Sequence, residues 1–307
     1  MNTIIRTENL SKNFGPVKAV KDLSLHIRKG EIYGFLGLNG AGKTTTIRML
    51  LGMIKPSSGQ AYIDNRRINA ADRILWSRVG QLVEVPYAYP GLSVRENLEI
   101  ARRVRLLPRG RQIEEVMEKL QLTRYADRKA GHLSQGNAQR LGLAKALIHQ
   151  PDILLLDEPS NSLDPAGIVE IRGLLVNMAM AEGVTIFISS HILAEISRLA
   201  TRIGIIHEGS LIRELDTNQL DQFCNKQLLL DAVDRDAMKN LFASKGIVLE
   251  EAGEECLQTA DAYAVAHPDE IASLMVQSGI PPTLLKVEKE DLESFFLRII
   301  GSKGGVQ

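Results

Sequence analysis

The stretch Gly37-Leu38-Asn39-Gly40-Ala41-Gly42-Lys43-Thr44 lies between an apolar segment, Glu31 to Leu36, and a segment with helical periodicity that starts at Thr45. It fits the pattern G-x-x-x-x-G-K-[ST], which is specific when a strand precedes it and a helix follows. Glycines let backbone N–H groups turn toward phosphate oxygens, and a helix N-terminus adds partial positive charge there. A plain glycine-rich turn is the alternative, but the flanking segments favour a nucleotide-binding loop in an α/β fold.

The last two residues of this loop have separate predicted tasks. Lys43 is expected to contact the β- and γ-phosphates, and the Thr44 hydroxyl is expected to hold Mg²⁺. The predicted cofactors are therefore ATP and Mg²⁺. After the loop, one buried helix face is predicted from the spacing of apolar residues at Ile47, Leu50, Leu51 and Ile54.

A second element, Ile153 to Leu156, is a continuous apolar run that predicts a buried parallel strand. It ends in Asp157 and Glu158, and ligand sites in open α/β sheets lie at the carboxyl ends of strands. Asp157 suits Mg²⁺, and Glu158 suits polarisation of the attacking water. Alone, an apolar strand that ends in Asp-Glu is weak evidence for a catalytic pair. Together with the glycine-rich loop, it predicts a site that hydrolyses ATP.

Composition limits the other functions. The chain has 307 residues, and its 37 Lys and Arg balance 37 Asp and Glu, so no broad basic surface for nucleic acid is expected. The two cysteines, Cys224 and Cys256, do not have the spacing of a metal or C-x-x-C redox site. No apolar run reaches the roughly 18 residues that cross a membrane, and the first nine residues do not resemble a signal peptide. A cytoplasmic protein is predicted.

Three further motifs follow in order. They are Leu133-Ser134-Gln135-Gly136-Asn137, then Ser162-Leu163-Asp164, then His191 after the apolar stretch Val184 to Ile188. With the two phosphate-site elements, this order and spacing resemble the ATP-binding subunit of ABC transporters over about residues 3 to 215. The resemblance implies an ATPase whose two copies close head to tail over two ATP molecules, each copy completing the site of the other.

The resemblance also implies roles for individual residues. Glu158 and His191 are the implied catalytic residues, and Thr44, Glu84 and Asp157 are the implied Mg²⁺ ligands. Phe14 occupies the position of an aromatic that stacks on adenine, although an ordinary core phenylalanine is the alternative. The implied nucleotide-binding residues are Phe14, Asn39, Gly40, Ala41, Gly42, Lys43, Thr44, Thr45, Ser134, Gly136 and Asp164.

Ser134 and Gly136 precede a predicted helix over Gln139 to Ile148, so a hydroxyl and backbone N–H groups would be offered at its N-terminus. The resemblance implies that they contact the γ-phosphate bound by the other copy. Outside this ordered set of motifs, Ser134 would be interpreted as a simple helix cap and His191 as a structural histidine.

The sequence departs from the family pattern at three positions. Asn137 replaces a glutamine, Gln135 replaces a glycine, and Glu84 stands where the family usually has a glutamine. A carboxylate at 84 can approach Mg²⁺ or its waters but cannot donate the hydrogen bonds of an amide. Glu84 and the segment Leu292 to Phe296 resemble ATPases of the bacitracin-resistance and lantibiotic-immunity exporter group, which implies a peptide antibiotic as cargo.

The predicted architecture is an ABC-type P-loop domain of class α/β over residues 1–217, with a helical subdomain at about 85–135, and an accessory α+β domain over 218–307. In the accessory domain, strands are predicted at Gln227 to Ala232, Ile247 to Glu251, Ala262 to Ala266 and Thr283 to Val287, and helices at Asp236 to Ser244, Pro268 to Gln277 and Glu290 to Ile300. This order is that of a ferredoxin-like split βαβ unit. Its expected role is to stabilise or regulate the dimer.

Three functions fit an ABC-type ATPase. The first is a transport subunit on the cytoplasmic face of the cell membrane, whose partners are a second copy or a paralogous ATPase subunit and integral membrane permease subunits. The second is a soluble ATPase acting on nucleic acid or ribosomes, which the sequence disfavours because it lacks a coiled-coil insertion, zinc cysteines and a second ATPase domain. The third is a sensor that binds ATP without hydrolysis, and Glu158 opposes it.

Overall fold

The computed structural model describes residues 2–84, 87–252 and 256–304, with side chains at all of these except 221 and 302–304. The chain divides into two compact units, Met1–Asn218 and Gln219–Gln307. This division lies one residue from the boundary predicted above.

In the first unit the strands are β1 (Thr3–Phe14), β2 (Val17–Leu23), β3 (His26–Arg28), β4 (Ile32–Leu36), β5 (Ser58–Ile63), β6 (Arg66–Arg67), β7 (Val79–Leu82), β8 (Ile153–Asp157), β9 (Thr185–Ser190), β10 (Arg202–His207) and β11 (Ser210–Asp216). The helices are α1 (Lys43–Leu50), α2 (Arg73–Trp76), α3 (Val94–Val104), α4 (Gln112–Lys119), α5 (Gln135–Leu147), α6 (Pro165–Glu182) and α7 (Leu193–Ile196). Short 3₁₀ turns lie at Thr123–Tyr125, Ala130–His132 and Thr217–Gln219.

The central sheet of the first unit has the strand order β11-β10-β4-β9-β8-β7. The strands from β10 to β7 are parallel, and β11 is antiparallel at one edge. Every residue of β4, β8 and β9 is buried, as expected for parallel strands that are covered on both faces. Because these three strands are neighbours, their carboxyl ends bring the glycine-rich loop, Asp157 and the segment before His191 to one edge of the sheet.

A second, antiparallel sheet has the order β2-β1-β5-β6, and β3 also pairs with β1. Residues of this sheet, including Leu10, Val20 and Ile63, share one apolar core with Phe35 and Ile47. This packing fixes the antiparallel sheet against the elements that carry the loop.

Helix α1 ends earlier than its apolar spacing predicts. The spacing extends to Ile54, but Gly52 adopts a φ of 66°, and the N–H groups of Gly52 and Met53 bond to the carbonyl groups of Met49 and Arg48. This is a Schellman ending, in which a glycine in the left-handed region closes the helix. Ile54 still packs against the core, but from outside the helix.

Helices α3 and α4 lie within residues 85–135, the range for which a helical subdomain is predicted. Ser93 caps α3, and Glu96 completes a capping box by accepting a bond from the Ser93 N–H group. Within α3, Arg102 bonds to Glu99 and to the carbonyl group of Leu107. These contacts hold the end of α3 before the chain turns into α4.

The second unit contains β12 (Lys226–Ala232), β13 (Glu250–Ala252), β14 (Cys256–Thr259), β15 (Pro282–Lys289), α8 (Leu220–Phe223), α9 (Arg235–Ser244), α10 (Ala262–Ala266), α11 (Pro268–Gln277) and α12 (Leu292–Gly304). Its antiparallel sheet has the order β13-β14-β12-β15. Along the chain, α9 follows β12, and α10 and α11 precede β15. In the sheet, β14 lies between β12 and β13, as in a split βαβ unit.

One predicted strand of the second unit is wrong. Ala262–Ala266 is a short helix, because the Asp261 carboxylate caps it by accepting a bond of 2.9 Å from the Ala264 N–H group. The third strand of the unit is instead Cys256–Thr259, whose apolar residue Leu257 is fully buried. Short alanine-rich runs have no strand preference of their own, so the cap decides the outcome.

Within the described part of the chain, no helix combines the length and the apolar character needed to cross a lipid bilayer.

His149, just after α5, is expected to make the first unit less stable in acid. Its Nε2 lies 3.1 Å from the Val79 carbonyl oxygen, and its Nδ1 is buried without a hydrogen-bond partner among the described residues. Burial, together with the charge of Arg105, lowers the pKa of His149 from 6.5 to about 4. The folded state therefore binds fewer protons than the unfolded state, so the stabilisation is fully present above pH 6.5 and is lost as the pH falls through about 4.

This expectation is checked by urea unfolding followed by the fluorescence of Trp76, the single tryptophan of the chain. The urea midpoint of the wild type should fall more between pH 7 and pH 4.5 than that of His149→Gln, whose amide can still donate to Val79. An equal fall of the urea midpoint in the two proteins would contradict the role of His149 in acid destabilisation.

Candidate functional site

The loop between β4 and α1 surrounds the Lys43 ammonium group. Lys43 Nζ donates to the carbonyl oxygens of Gly37 at 2.6 Å and Leu38 at 3.2 Å, and it lies 3.3 Å from Glu158 Oε1. Only 6% of the Lys43 side chain is exposed. The positive charge is therefore fixed inside the loop at the N-terminus of α1, where phosphate oxygens are also favoured by the helix dipole.

Gly42 has a conformational reason to be glycine. Its φ is 107°, and a Cβ atom there would lie 2.5 Å from the carbonyl oxygen of Ala19 in β2. Gly40 also has a positive φ of 81°. These two positions let the backbone of the loop turn inward, which side chains larger than hydrogen would oppose.

Asp157 and Thr44 come together at the end of β8. Thr44 Oγ1 donates to Asp157 Oδ2 at 2.7 Å, and Ser189 Oγ donates to Asp157 Oδ1 at 2.5 Å. Asp157 is 3% exposed. Both carboxylate oxygens thus have fixed directions, and two of the residues predicted to hold Mg²⁺ are in hydrogen-bond contact.

Glu158 links the lysine to the histidine. Its Oε2 lies 2.9 Å from His191 Nδ1, while its Oε1 contacts Lys43. Glu158 also has a positive φ of 49°, and its N–H group bonds to Ser189 Oγ at 3.1 Å. The carboxylate is only 17% exposed, so it is oriented by a cation on one side and an imidazole on the other.

Phe14 ends β1 and is 49% exposed, which excludes the alternative of an ordinary core phenylalanine. Lys12 Nζ lies 5.1 Å from the centroid of its ring. Phe14 pairs with Val17 of β2, and β2 also contains Ala19, whose carbonyl oxygen faces Gly42. The exposed Phe14 ring therefore lies on the hairpin of β1 and β2, and β2 passes next to Gly42 of the phosphate loop.

The motif Leu133 to Asn137 differs from its predicted local structure. Helix α5 begins at Gln135 rather than at Gln139, so Gly136 and Asn137 lie in its first turn instead of before it. The reason is the Ser134 cap, because Ser134 Oγ accepts a bond of 3.3 Å from the Asn137 N–H group. The N–H groups of Gln135 and Gly136 have no acceptor within the helix.

Asp164 has a similar position at the start of α6, where its Oδ1 accepts a bond of 3.0 Å from the Gly167 N–H group. Ser134, Gly136 and Asp164 line one polar cavity of about 510 Å³. The two motifs that are separate in sequence are therefore brought together by the fold.

Glu84 follows β7 with a positive φ of 59°, and its carboxylate forms an ion pair with Arg48 of α1. No contact joins Glu84 to Thr44 or Asp157 in the structure as described. The part of the chain with described side chains also contains no cluster of three or more His, Cys, Asp or Glu suited to a metal. A role of Glu84 at the metal therefore stays a prediction.

Two residues of the site were not foreseen from the sequence. Ser189 bonds to both Asp157 and Glu158, and Gln139 donates to the carbonyl oxygen of Pro159 at 3.0 Å, which ties α5 to the chain just after Glu158. For Ser189, a polar residue at the end of the apolar run before His191 was an available signal. For Gln139, a buried amide on a helix gives no local signal.

Comparison with known proteins places this site in a family. The sequence profile described as ABC transporter matches residues 20–161. Over 309 aligned residues, the chain is 40% identical to the bacitracin transport ATP-binding protein BcrA of Bacillus licheniformis, covering 98% of each protein. The chain belongs to the ATP-binding proteins of ABC transporters.

Other members of the family extend the comparison. The lantibiotic transport ATP-binding protein SrtF of Streptococcus pyogenes is 34% identical over 231 residues, or 74% of this chain and 99% of that protein. A dimeric ATP-binding cassette solved in a post-hydrolysis state with ADP and phosphate superposes with a TM-score of 0.65 and 27% identity, covering 70% of this chain and 99% of the other.

Membership confirms the predicted ABC-type P-loop fold and the predicted ATPase activity. This ABC ATPase binds ATP. The aligned part of the solved cassette covers 70% of the chain, a share similar to that of the first unit alone.

Proposed function

We propose that the chain is the ATPase of a peptide-antibiotic exporter, and that it hydrolyses ATP in a head-to-tail dimer to drive separate membrane subunits. The observation that carries the proposal is the grouping of three charged side chains at the carboxyl edge of the sheet. Lys43 Nζ lies 3.3 Å from Glu158 Oε1, and Ser189 bonds to both Asp157 and Glu158. A cation for the phosphates, an oxygen pair for a metal and a carboxylate for water are the parts that phosphoryl transfer to water requires.

Mg²⁺ fits the oxygen atoms present. The Thr44 hydroxyl and the Asp157 carboxylate would hold it, and hard oxygen ligands of this kind are what Mg²⁺ prefers, with the remaining ligands from phosphates and water. When bound, Mg²⁺ neutralises negative charge on the β- and γ-phosphate oxygens. We propose Glu84 as a further residue near the metal, once its ion pair with Arg48 opens.

In the hydrolytic step, Glu158 orients the attacking water and accepts its proton as the water oxygen bonds to the γ-phosphorus and the bond to ADP breaks. The hydrogen bond between His191 and Glu158 holds the carboxylate in position. Lys43 binds the phosphates, and Phe14 offers a face on which adenine stacks. The phosphates are also bound by the backbone of the loop and by the first turn of α1, through Asn39, Gly40, Ala41 and Thr45.

The dimer is proposed because the cavity of Ser134, Gly136 and Asp164 is lined by polar groups yet contains none of the residues of the phosphate loop. In a head-to-tail pair this cavity of one copy would receive the γ-phosphate bound by the other copy. A dimeric cassette among the structural relatives supports this arrangement.

Similarity to transport proteins supports the proposal of a peptide cargo, of permease partners and of a place on the cytoplasmic face of the membrane. BcrA is named for bacitracin transport and SrtF for lantibiotic transport, and the alignment with BcrA extends over 98% of this chain. The test has two steps. The tagged chain is first purified and any integral membrane protein that co-purifies with it is identified, and the two are then co-expressed in a bacitracin-sensitive strain.

Resistance to bacitracin or to a lantibiotic should rise with the wild-type pair and should not rise with the Glu158→Gln chain. Unchanged resistance to both peptide classes, with an intact ATPase and a bound permease, would contradict the cargo. Failure to recover any membrane protein would contradict the role in transport.

A further inference from the structure

The cavity at the N-terminus of α5 is polar and positively charged. It is lined by Ser134, Gly136 and Asp164, and among the residues that the structure describes Leu163 is its only apolar lining side chain. Arg124 and Arg140 also line it. A cavity of about 510 Å³ with this lining offers hydrogen-bond donors and positive charge, which suit an anion.

Two of the three charged groups in the cavity are already engaged. Arg140 donates to Glu170 at 2.6 Å and to the Leu120 carbonyl oxygen, and it is only 11% exposed. The Asp164 carboxylate caps α6. These two residues therefore have structural bonds of their own, and the uncommitted charge in the cavity comes from Arg124.

Arg124 lies in the 3₁₀ turn Thr123–Tyr125, between α4 and α5, and its side chain is exposed. Its guanidinium carbon lies 4.8 Å from the centroid of the Tyr125 ring. Among the residues that the structure describes, nothing accepts a hydrogen bond from it or forms an ion pair with it. The aromatic ring thus supports the guanidinium plane while its N–H donors stay available.

We propose that Arg124 is a further substrate-contacting residue, and that it donates hydrogen bonds to the triphosphate of ATP bound at the phosphate loop of the second copy. The inference rests on the proposed function, because the cavity meets that triphosphate only when two copies close head to tail. The planar guanidinium fork matches phosphate oxygens, and it adds charge beside the unpaired N–H groups of Gln135 and Gly136. Arg124 acts on binding between copies and takes no part in bond cleavage.

The experiment measures ATP-dependent dimer formation of the Glu158→Gln chain by light scattering, with and without Arg124→Ala. Loss of one hydrogen-bonded charge should raise the ATP concentration for half-maximal dimer about tenfold. Binding of a fluorescent ATP analogue to the monomer, measured at protein concentrations too low for dimers, should be unchanged. Dimer formation by Arg124→Ala should also depend less on salt than that of its parent.

Arg109 provides the matched control. It is an exposed arginine between α3 and α4, and in the described part of the chain it has no ion pair and does not line the cavity. Arg109→Ala should dimerise like its parent, and Arg124→Lys should lie between Arg124→Ala and the parent. Thermal unfolding of each variant establishes that the fold is intact.

The nucleotide identifies the group that Arg124 contacts. With 2′-deoxy-ATP the loss caused by Arg124→Ala should be as large as with ATP, because the contact is to phosphate. A loss seen with ATP but absent with 2′-deoxy-ATP would assign the contact to the ribose and overturn the proposal.

The behaviour of the Glu158→Gln parent separates the shared site from the role of Arg124. If the Glu158→Gln parent itself does not dimerise with ATP, the shared site is wrong, and the role of Arg124 falls with it. If the parent dimerises and Arg124→Ala dimerises at the same ATP concentration, Arg124 alone is refuted.

Discussion

Lys43→Ala is expected to lower the affinity for ATP about 100-fold, the effect of losing two hydrogen bonds to a charged group, and to abolish measurable turnover. Lys43 is the buried cation of the phosphate loop, and its ammonium is fixed by the carbonyl oxygens of Gly37 and Leu38. The measurement is equilibrium binding of a fluorescent ATP analogue by the purified monomer.

A control is needed because Lys43 also pairs with Glu158. Removal of the lysine leaves the Glu158 carboxylate largely buried and without this cation. The unneutralised carboxylate then repels phosphate. The double variant Lys43→Ala with Glu158→Gln has neither charge, and its ATP affinity should remain far below that of Glu158→Gln alone. Recovery of tight binding in the double variant would show that Lys43 acts only by neutralising Glu158.

Glu158→Gln is expected to reduce the rate of ATP hydrolysis by at least about 100-fold, the usual contribution of a general base. Binding of ATP should be retained and should become tighter, because the variant no longer places a carboxylate 3.3 Å from the lysine that binds the phosphates. The measurements are phosphate release at saturating ATP and equilibrium binding on the same preparation. Closed dimers should accumulate with ATP.

His191→Ala tests whether His191 acts by orienting the Glu158 carboxylate. The histidine contacts the Glu158 carboxylate at 2.9 Å, so its removal should lower the hydrolysis rate while Glu158 is still present. In the Glu158→Gln background the same change should have little further effect, since both residues act on one step. Turnover near wild type in Glu158→Gln would refute the role of this carboxylate.

The chemistry of the phosphate site was accessible from sequence because each group lies next to a strong local signal. Lys43 and Thr44 belong to a loop between a strand and a helix, and Asp157 and Glu158 end a continuous apolar run. Parallel strands place such groups at one edge regardless of their distance in sequence. That rule is consistent with the contact between Thr44 and Asp157.

Long-range contacts without a local pattern were not accessible. Neither the bond from Gln139 to Pro159 nor the ion pair of Arg48 with Glu84 has a spacing that marks it. The strand wrongly predicted at Ala262–Ala266 failed for a related reason, because a single aspartate cap outweighs a weak strand pattern. The predicted start of α5 at Gln139 is also too late, because the Ser134 cap starts the helix at Gln135.

The order of strands in the central sheet has a consequence for synthesis of the chain. β9 lies between β4 and β8, although it follows both of them in sequence. A nascent chain that ends before Thr185 contains Lys43 and Glu158, but it lacks the strand that spaces β4 from β8 and supplies Ser189. Chains that end before Thr185 therefore lack the serine that bonds to both Asp157 and Glu158. We expect ATP hydrolysis only after β9 has been synthesised.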